Sequence, residues 1–312
     1  MPQDISHKLV IGISTRALFD LTESNNIFEK EGIEAYRKHQ VSLEKELLIP
    51  GNSFNLVNKL LKINEFGEFV EVVLLSRNSA DCGIRVFNSI KHYKLDISRA
   101  AFTNGSRRYP YIKAFGVDLF LSANHDDVLH TLEQGNAAAT VLPTPTNTGE
   151  PTTQLRIAFD GDSVLFSDEA ERIFQSAGLD AFHQNEHTQA EKPLDNGPFK
   201  GFLRALHNIQ QHFKPEECPI RTALVTARSA PAHERVIKTF RQWGVRVDES
   251  FFLGGIDKSE FLKAFKADIF FDDQPGHCLS ASEHVSAAHV PHGIVNEAAN
   301  KKTRDKDTRQ SE

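Results

Sequence analysis

Short apolar runs alternate along the chain with stretches whose apolar positions recur at helical spacing. In "IAFDGDSVLFSD", Ile157 to Asp168, one such run enters Asp160-Gly161-Asp162 and returns to the apolar Val164-Leu165-Phe166. An apolar run bounded by turn residues reads as a strand of a covered parallel sheet, and ligands of such sheets gather beyond the carboxyl ends of the strands. Asp160 and Asp162 are therefore expected to line a pocket. Helical spacing follows over Ala170 to Ala177 and over Phe199 to Phe213, where Phe202, Leu203, Leu206 and Ile209 share a face. Ala223 to Val225 reads as a strand, Arg235 to Trp243 as a helix, and Asp268 to Phe271 as a strand ending at Asp272-Asp273. Strands alternating with helices predict an α/β fold with parallel sheets covered on both faces.

The pattern occurs twice. "KLVIGISTRALF", Lys8 to Phe19, has the rhythm of "LRIAFDGDSVLF", with Ala17-Leu18-Phe19 lying 147 residues before Val164-Leu165-Phe166. "GIEAY" at Gly32 precedes "GLDAF" at Gly178 by 146, and Leu74-Leu75-Ser76 precedes Leu224-Val225-Thr226 by 150. Arg85-Val86 and Arg235-Val236 repeat the offset of 150, as do "YIKAFGVDLFL" at Tyr111 and "FLKAFKADIFF" at Phe261. A near-constant offset over several blocks implies a duplicated unit of about 150 residues, the size of an ordinary domain. The expected division is 1–145 and 155–297, joined by the exposed "PTPTNTGEPTTQ" and followed by a charged, disordered tail at 298–312.

Composition narrows the function. The 312 residues carry 39% hydrophobic residues, 23 of them Phe, enough to fill the cores of about two domains. A net charge of -6 argues against a nucleic-acid partner, and no apolar stretch approaches the ~20 residues of a membrane span. With no signal-peptide pattern at the N-terminus, a cytoplasmic location is expected. Three widely spaced cysteines predict buried thiols rather than disulfides or a metal knuckle, and the fourteen histidines show no paired spacing.

Asp-Gly-Asp is also an ordinary turn sequence, so the pair at 160 and 162 does not establish chemistry by itself. The second half adds Thr226 and Asp272-Asp273 at successive strand ends, with Lys258 before the last. Thr226 and nearby backbone amides can hold phosphate oxygens, and a lysine, Lys258 or Lys263, can neutralise charge on a transferring group. Asp160 and Asp273 offer the hard oxygens that Mg²⁺ prefers.

In that order, Asp-x-Asp, Thr, Lys, Asp-Asp resembles the four motifs of the haloacid dehalogenase phosphatase superfamily. "AFDGDSVLFSDE", "KPLDNGPFKGFL", "CPIRTALVTARSA" and "IFFDDQ", with "ISTRALFD" and "NSIKHYKLDISR" in the first half, are similar to the cytosolic 5'-nucleotidase I family, which prefers AMP. The resemblance runs from about Lys8 to Val295. It implies two tandem Rossmann-like, haloacid dehalogenase-like halves, the N-terminal one catalytically degenerate. It further implies Asp160 as nucleophile, Asp162 as general acid and base, Thr226 as phosphate ligand, and Lys258 as the stabilising cation. Mg²⁺ would be held by Asp160, Asp162, Asp272 and Asp273, the substrate would be a nucleoside monophosphate, and a homo-oligomer is the family's expectation.

In the first half, Asp160 aligns with Ile13 and Asp162 with Thr15 at the offset of 147, while Lys258, Asp272 and Asp273 align with Arg108, Ser122 and Ala123 at 150. That half is expected to be silent, although Ser76 keeps a hydroxyl. The 63 residues from Ser163 to Val225 are expected to shape substrate recognition. Asn196 and Phe199 are the preferred base contacts, Lys192 or Lys200 can meet phosphate, Arg228 is a further substrate-binding candidate, and Phe202 is expected in the core. Two alternatives share these residues: a phosphatase of another small phosphate monoester, and a non-catalytic nucleotide-binding protein.

Overall fold

A computed structural model describes residues 4–106, 108–144 and 153–310, with side chains placed as far as Arg304. Most of the expected connection after Pro143 lies outside the described residues. The strands, in chain order, are β1 (Leu9–Ile13), β2 (Phe19–Asp20), β3 (Ile49–Pro50), β4 (Val70–Ser76), β5 (Arg99–Phe102), β6 (Leu119–Ser122) and β7 (Ala137–Val141). They continue as β8 (Leu155–Phe159), β9 (Ile220–Thr226), β10 (Glu249–Phe252), β11 (Ile269–Asp272) and β12 (Ala287–His289).

β2 and β3 form a small antiparallel pair, and the other ten strands form one sheet in the order β10-β9-β8-β11-β12-β7-β6-β1-β4-β5. Each half therefore places its first strand in the middle, its second and third to one side, and its fourth and fifth to the other. The sequence pattern suggested a separate parallel sheet for each half; instead the halves share one mixed sheet, joined where β12 runs antiparallel to β7. Every other pairing in it is parallel. As a result the carboxyl ends of the first half's strands lie at one edge of the sheet and those of the second half at the other.

The central strands are apolar because helices cover both faces. All residues of β1 and β4 are buried, including Glu71, which meets Arg99 and Lys8. One core spans both halves, from Leu9 through Phe159 to Val290. The halves are pinned together by Phe69 against Phe213, centroids 5.7 Å apart, and by Lys59 Nζ on Asp268 Oδ1 at 2.6 Å. Cys82, Cys218 and Cys278 are buried free thiols, as expected.

The helices follow the apolar spacing at Lys200–Gln210 and His233–Trp243. The segment expected over Ala170 to Ala177 extends to Glu169–Thr188, bent at Gly178, whose φ of 81° a glycine adopts without strain. Gly32, its repeat counterpart, has φ 84° at the matching bend. The C-terminal segment departs from expectation: rather than being disordered, Glu297–Gln310 is helical. Its Ala, Glu, Lys and Arg residues are good helix formers, Asn300 Nδ2 donates to Pro291 O at 3.0 Å, and Arg304 Nε reaches Glu133 at 2.6 Å.

Candidate active site

The site forms where the order of the second half's strands reverses. From β8 the chain passes to β9 on one side and later to β11 on the other, and the crevice outside that switch point is the usual ligand site of open α/β sheets. Asp160 follows β8 directly, with its N–H donating to Phe271 O at 2.8 Å. Thr226 ends β9, Asp272 ends β11, and Lys258 caps the helix Ser259–Phe265. Strand ends and a helix start thus deliver all four motifs to one place.

Lys258 Nζ donates to Asp160 Oδ1 and Asp272 Oδ2, both at 2.7 Å, with its own side chain only 5% exposed. Burial alone would lower its pKa, yet the two carboxylates hold it above the ordinary lysine value. Lys263, the alternative cation, is exposed and 4.0 Å from Glu260. Geometry therefore selects Lys258 for the cluster.

Asp160, Asp272 and Asp273 bring carboxylate oxygens within 4.8 Å of one another, all three residues being buried. Burial, with Asp272 and Asp162 near by and Lys258 opposing, pushes the pKa of Asp160 up to about 7. Burial and the charges of Asp160 and Asp272 push Asp273 up to about 9. Asp272 differs: burial opposes its ionisation, but Lys258 and His277 outweigh it and hold its pKa low. Three carboxylates facing one ammonium are short of positive charge, and their hard oxygens suit a divalent cation such as Mg²⁺. Asp162 stands apart from this cluster, because both its oxygens are engaged by Arg228, at 2.8 and 2.7 Å.

Between Asp160 and Phe166 the chain makes one wide turn, Gly161–Leu165, with Ser163 at φ 63°. The corresponding first-half turn is an ordinary helix, Thr15–Leu18. Register explains the difference: Ile157 pairs with Ile269 as Ile11 pairs with Leu119. Asp160 therefore corresponds to Ser14, whose N–H donates to Leu121 O as that of Asp160 donates to Phe271 O. This corrects the alignment of Asp160 with Ile13. The offset changes from 146 at the strand to 147 at Phe166 because the second half carries one extra residue in the turn.

Gly161 lies against Thr226, and a Cβ there would sit 3.3 Å from Thr226 Oγ1, so a side chain would crowd the space between Asp160 and Thr226. Thr226 Oγ1 accepts from Arg228 N at 3.2 Å. Two histidines that the spacing argument passed over support the site: His277 Nδ1 lies 3.2 Å from Asp272 Oδ2, and His289 Nε2 lies 3.0 Å from Asp273 O. Asn296 Nδ2 also donates to that carbonyl, at 2.8 Å.

The expected recognition residues divide. Phe199 is fully buried and packs on Phe271 with centroids 4.9 Å apart, so it is a core residue and not a base-stacking platform. Its N–H donates to Val164 O, and Gly197 N to Leu165 O, zipping 195–199 onto the chain after the wide turn. The backbones approach so closely that a Cβ on Gly197 would lie 2.4 Å from Phe166 O. Phe202 is core, as expected. Asn196 is exposed and accepts from Lys200 Nζ at 2.7 Å, while Lys200 lies 4.5 Å above the Trp243 ring. Both line a cavity of about 500 Å³ with His292, Asp118 and Asn136. Lys192 is exposed and holds Arg235 through its carbonyl. Arg228 is buried between Asp162 and Glu186, and all three of its guanidinium nitrogens meet a carboxylate. Of the 63 residues expected to shape recognition, the helix Lys200–Gln210 instead covers the sheet.

An α/β sheet presenting an Asp-x-Asp, a threonine, a lysine and an acidic pair at adjacent strand ends defines a haloacid dehalogenase-like fold. The 5'-nucleotidase family model matches residues 1–297, and the chain belongs to that family. The human protein "Cytosolic 5'-nucleotidase 1B" is 38% identical over 300 residues, covering 92% of this chain and 49% of the relative. The chain thus spans about half the length of that relative. No solved structure matches it. Among the described residues, no helix is long and apolar enough to cross a membrane.

Proposed function

We propose that the protein is a Mg²⁺-dependent cytoplasmic 5'-nucleotidase that hydrolyses nucleoside 5'-monophosphates, AMP above others, to nucleoside and phosphate. The observation that carries this reading is the cluster of Asp160, Lys258, Asp272 and Asp273 at one switch point of the sheet, with Thr226 against Gly161.

Asp160 attacks phosphorus; its Oδ–P bond forms as the P–O5' bond breaks, and Asp162 delivers a proton to the departing oxygen. In the second step Asp162 takes a proton from water, which attacks the aspartyl-phosphate and releases phosphate. Lys258 holds Asp160 in place and offsets charge on the transferring group, and Thr226 with the amides around it receives phosphate oxygens. Asp160, Asp272 and Asp273 would hold Mg²⁺, which supplies charge stabilisation to the phosphoryl group. The segment Glu169–Thr188, whose Phe182 and Glu186 meet Arg228 beside Asp162, is the candidate cap.

The same strand order in both halves, together with the repeat offsets, supports two tandem Rossmann-like units. The first, 1–145, is a degenerate copy, and the second, 155–297, carries the chemistry. Ser14, Ser122 and Arg108 stand where Asp160, Asp272 and Lys258 stand in the second.

The preference for AMP rests on the likeness to the cytosolic 5'-nucleotidase I family. Phosphate release from AMP, IMP, CMP, a deoxynucleotide and glucose 6-phosphate, with and without Mg²⁺, tests it. AMP should give the highest kcat/KM; a sugar phosphate exceeding every nucleotide would end the nucleotidase reading.

A further inference from the structure

Asp162 does not stand alone in the second half; it is the end of a buried chain of alternating charges. Arg228 grips both its oxygens, and Nη1 of the same guanidinium meets Glu186. Glu186 Oε1 in turn accepts from Arg235 Nη1 at 2.8 Å. The side chains of Glu186, Arg228 and Arg235 are 0%, 2% and 1% exposed. Arg235 is further tied to Lys192 O at 2.9 Å and approaches Glu169 at 3.4 Å. The Phe182 ring closes over Arg228, 5.5 Å from its guanidinium carbon. Glu186, Phe182 and Glu169 all belong to the bent helical segment Glu169–Thr188, while Asp162 belongs to the wide turn after β8.

The first half supplies an internal control. At the corresponding places it has Gln40 for Glu186, Asn78 for Arg228 and Tyr36 for Phe182, while Arg85 stands for Arg235. Arg85 Nη1 still donates to Gln40 Oε1 at 3.2 Å, and Tyr36 Oη donates to Asn78 Oδ1 at 3.0 Å. The contact of the helical segment with the loop after its half's second strand and with the following helix thus survives without Glu186 or Arg228. Burying two further charges costs several kcal/mol per ion unless they are paired, and a neutral solution to the same packing problem exists within this molecule. The charges are retained only where an acidic side chain at the active site needs a fixed partner.

We propose that Glu186 is a positioning residue: it holds Arg228 against Asp162, so that the helical segment, rather than the turn carrying Asp162, aims the proton donor at the leaving oxygen. The Asp162 side chain is 22% exposed, and both its oxygens are held by Arg228. Arg228, buried and held at three nitrogens, provides the rigidity. The inference rests on the proposed role of Asp162 as proton donor.

The test compares AMP with its analogue carrying sulfur at the bridging 5' position, whose thiolate departs without protonation. Asp162→Asn should lower kcat/KM for AMP by about 10²-fold or more while changing the thio analogue far less. Glu186→Gln, nearly isosteric, should show the same selectivity at about 10-fold, with KM for AMP little changed. Glu186→Asp, which keeps the charge but shortens the reach, makes the same comparison if the glutamine variant does not fold. Equal losses on both substrates, or no loss on either, in a folded Glu186 variant would overturn the inference while leaving the Asp162→Asn result intact. Absence of selectivity in Asp162→Asn itself would overturn the proton-donor role and the inference with it. Gln40→Glu in the first half should leave the ratio unchanged.

Discussion

The two ends of the sheet solve one electrostatic problem in opposite ways. At the carboxyl ends of the second half's strands, three buried carboxylates face Lys258 and are left short of positive charge. At the carboxyl ends of the first half's strands, Arg108 stands in place of Lys258, pairs with Asp127, and donates to Leu75 O at 3.1 Å and toward Ser122 Oγ at 3.4 Å. Asp127 also receives Arg77 at 2.6 Å. Thr15 Oγ1 donates to Ser76 Oγ at 2.8 Å, so the hydroxyls there bond one another. The first half's cluster gathers two guanidiniums about one carboxylate and the second half's gathers three carboxylates about one ammonium, so the two ends of the sheet are charged in opposite senses. The antiparallel contact of β12 with β7 keeps the two clusters at opposite edges of the sheet.

The sharpest way to break this contrast is to mutate corresponding positions. Asp160→Asn removes the proposed nucleophile and should cost about 10⁴-fold or more in kcat, whereas Ser14→Ala should leave kcat within about twofold. Loss of phosphate release from a folded Ser14→Ala protein would place chemistry in the first half.

Metal removal separates the halves next. Asp160 and Asp273 bind protons more tightly folded than unfolded, so stability present below the ordinary carboxylate range is lost as pH rises toward about 7 and about 9, respectively. Mg²⁺ should raise Tm most at the alkaline end of that window. Asp273→Asn should raise the metal-free Tm at pH 8 and abolish the Mg²⁺-dependent gain, measured by thermal denaturation. A metal-free Tm lower than that of the parent would contradict the like-charge strain.

In the first half, Arg108→Gln leaves Asp127 buried with one cation fewer. It should lower stability by about 3 kcal/mol in urea denaturation, with kcat/KM for AMP unchanged within about twofold. A large kinetic loss without destabilisation would reverse the roles assigned to the two edges. The smallest effect is expected at Lys263→Ala, within about 0.5 kcal/mol and without change in rate, because Lys263 is exposed and faces the exposed Glu260. Any marked loss of turnover there would reopen the choice of Lys258.

The sequence by itself carried the alternation of strands and helices, the repeat, and the order Asp160, Asp162, Thr226, Lys258, Asp272. Each of these depends on neighbours a few residues away: side-chain direction follows the backbone period, and a strand's end is marked by where its apolar run stops. Tertiary structure decided what depended on distant partners. Phe199 looked like a base platform beside a turn, yet Phe159, Phe202 and Phe271 enclose it. Ser14 became the counterpart of Asp160 only when strand register exposed a one-residue insertion in the turn. Arg85 and Arg235 were legible as a repeat, but not that Arg235 supports a chain reaching Asp162. Arg228 meets Asp162 across 66 residues of sequence and Glu186 across 42. No local period encodes such a meeting; it exists because the bent helical segment lies against the loop after β9 and the helix His233–Trp243, and burial then requires every charge it encloses to have a partner.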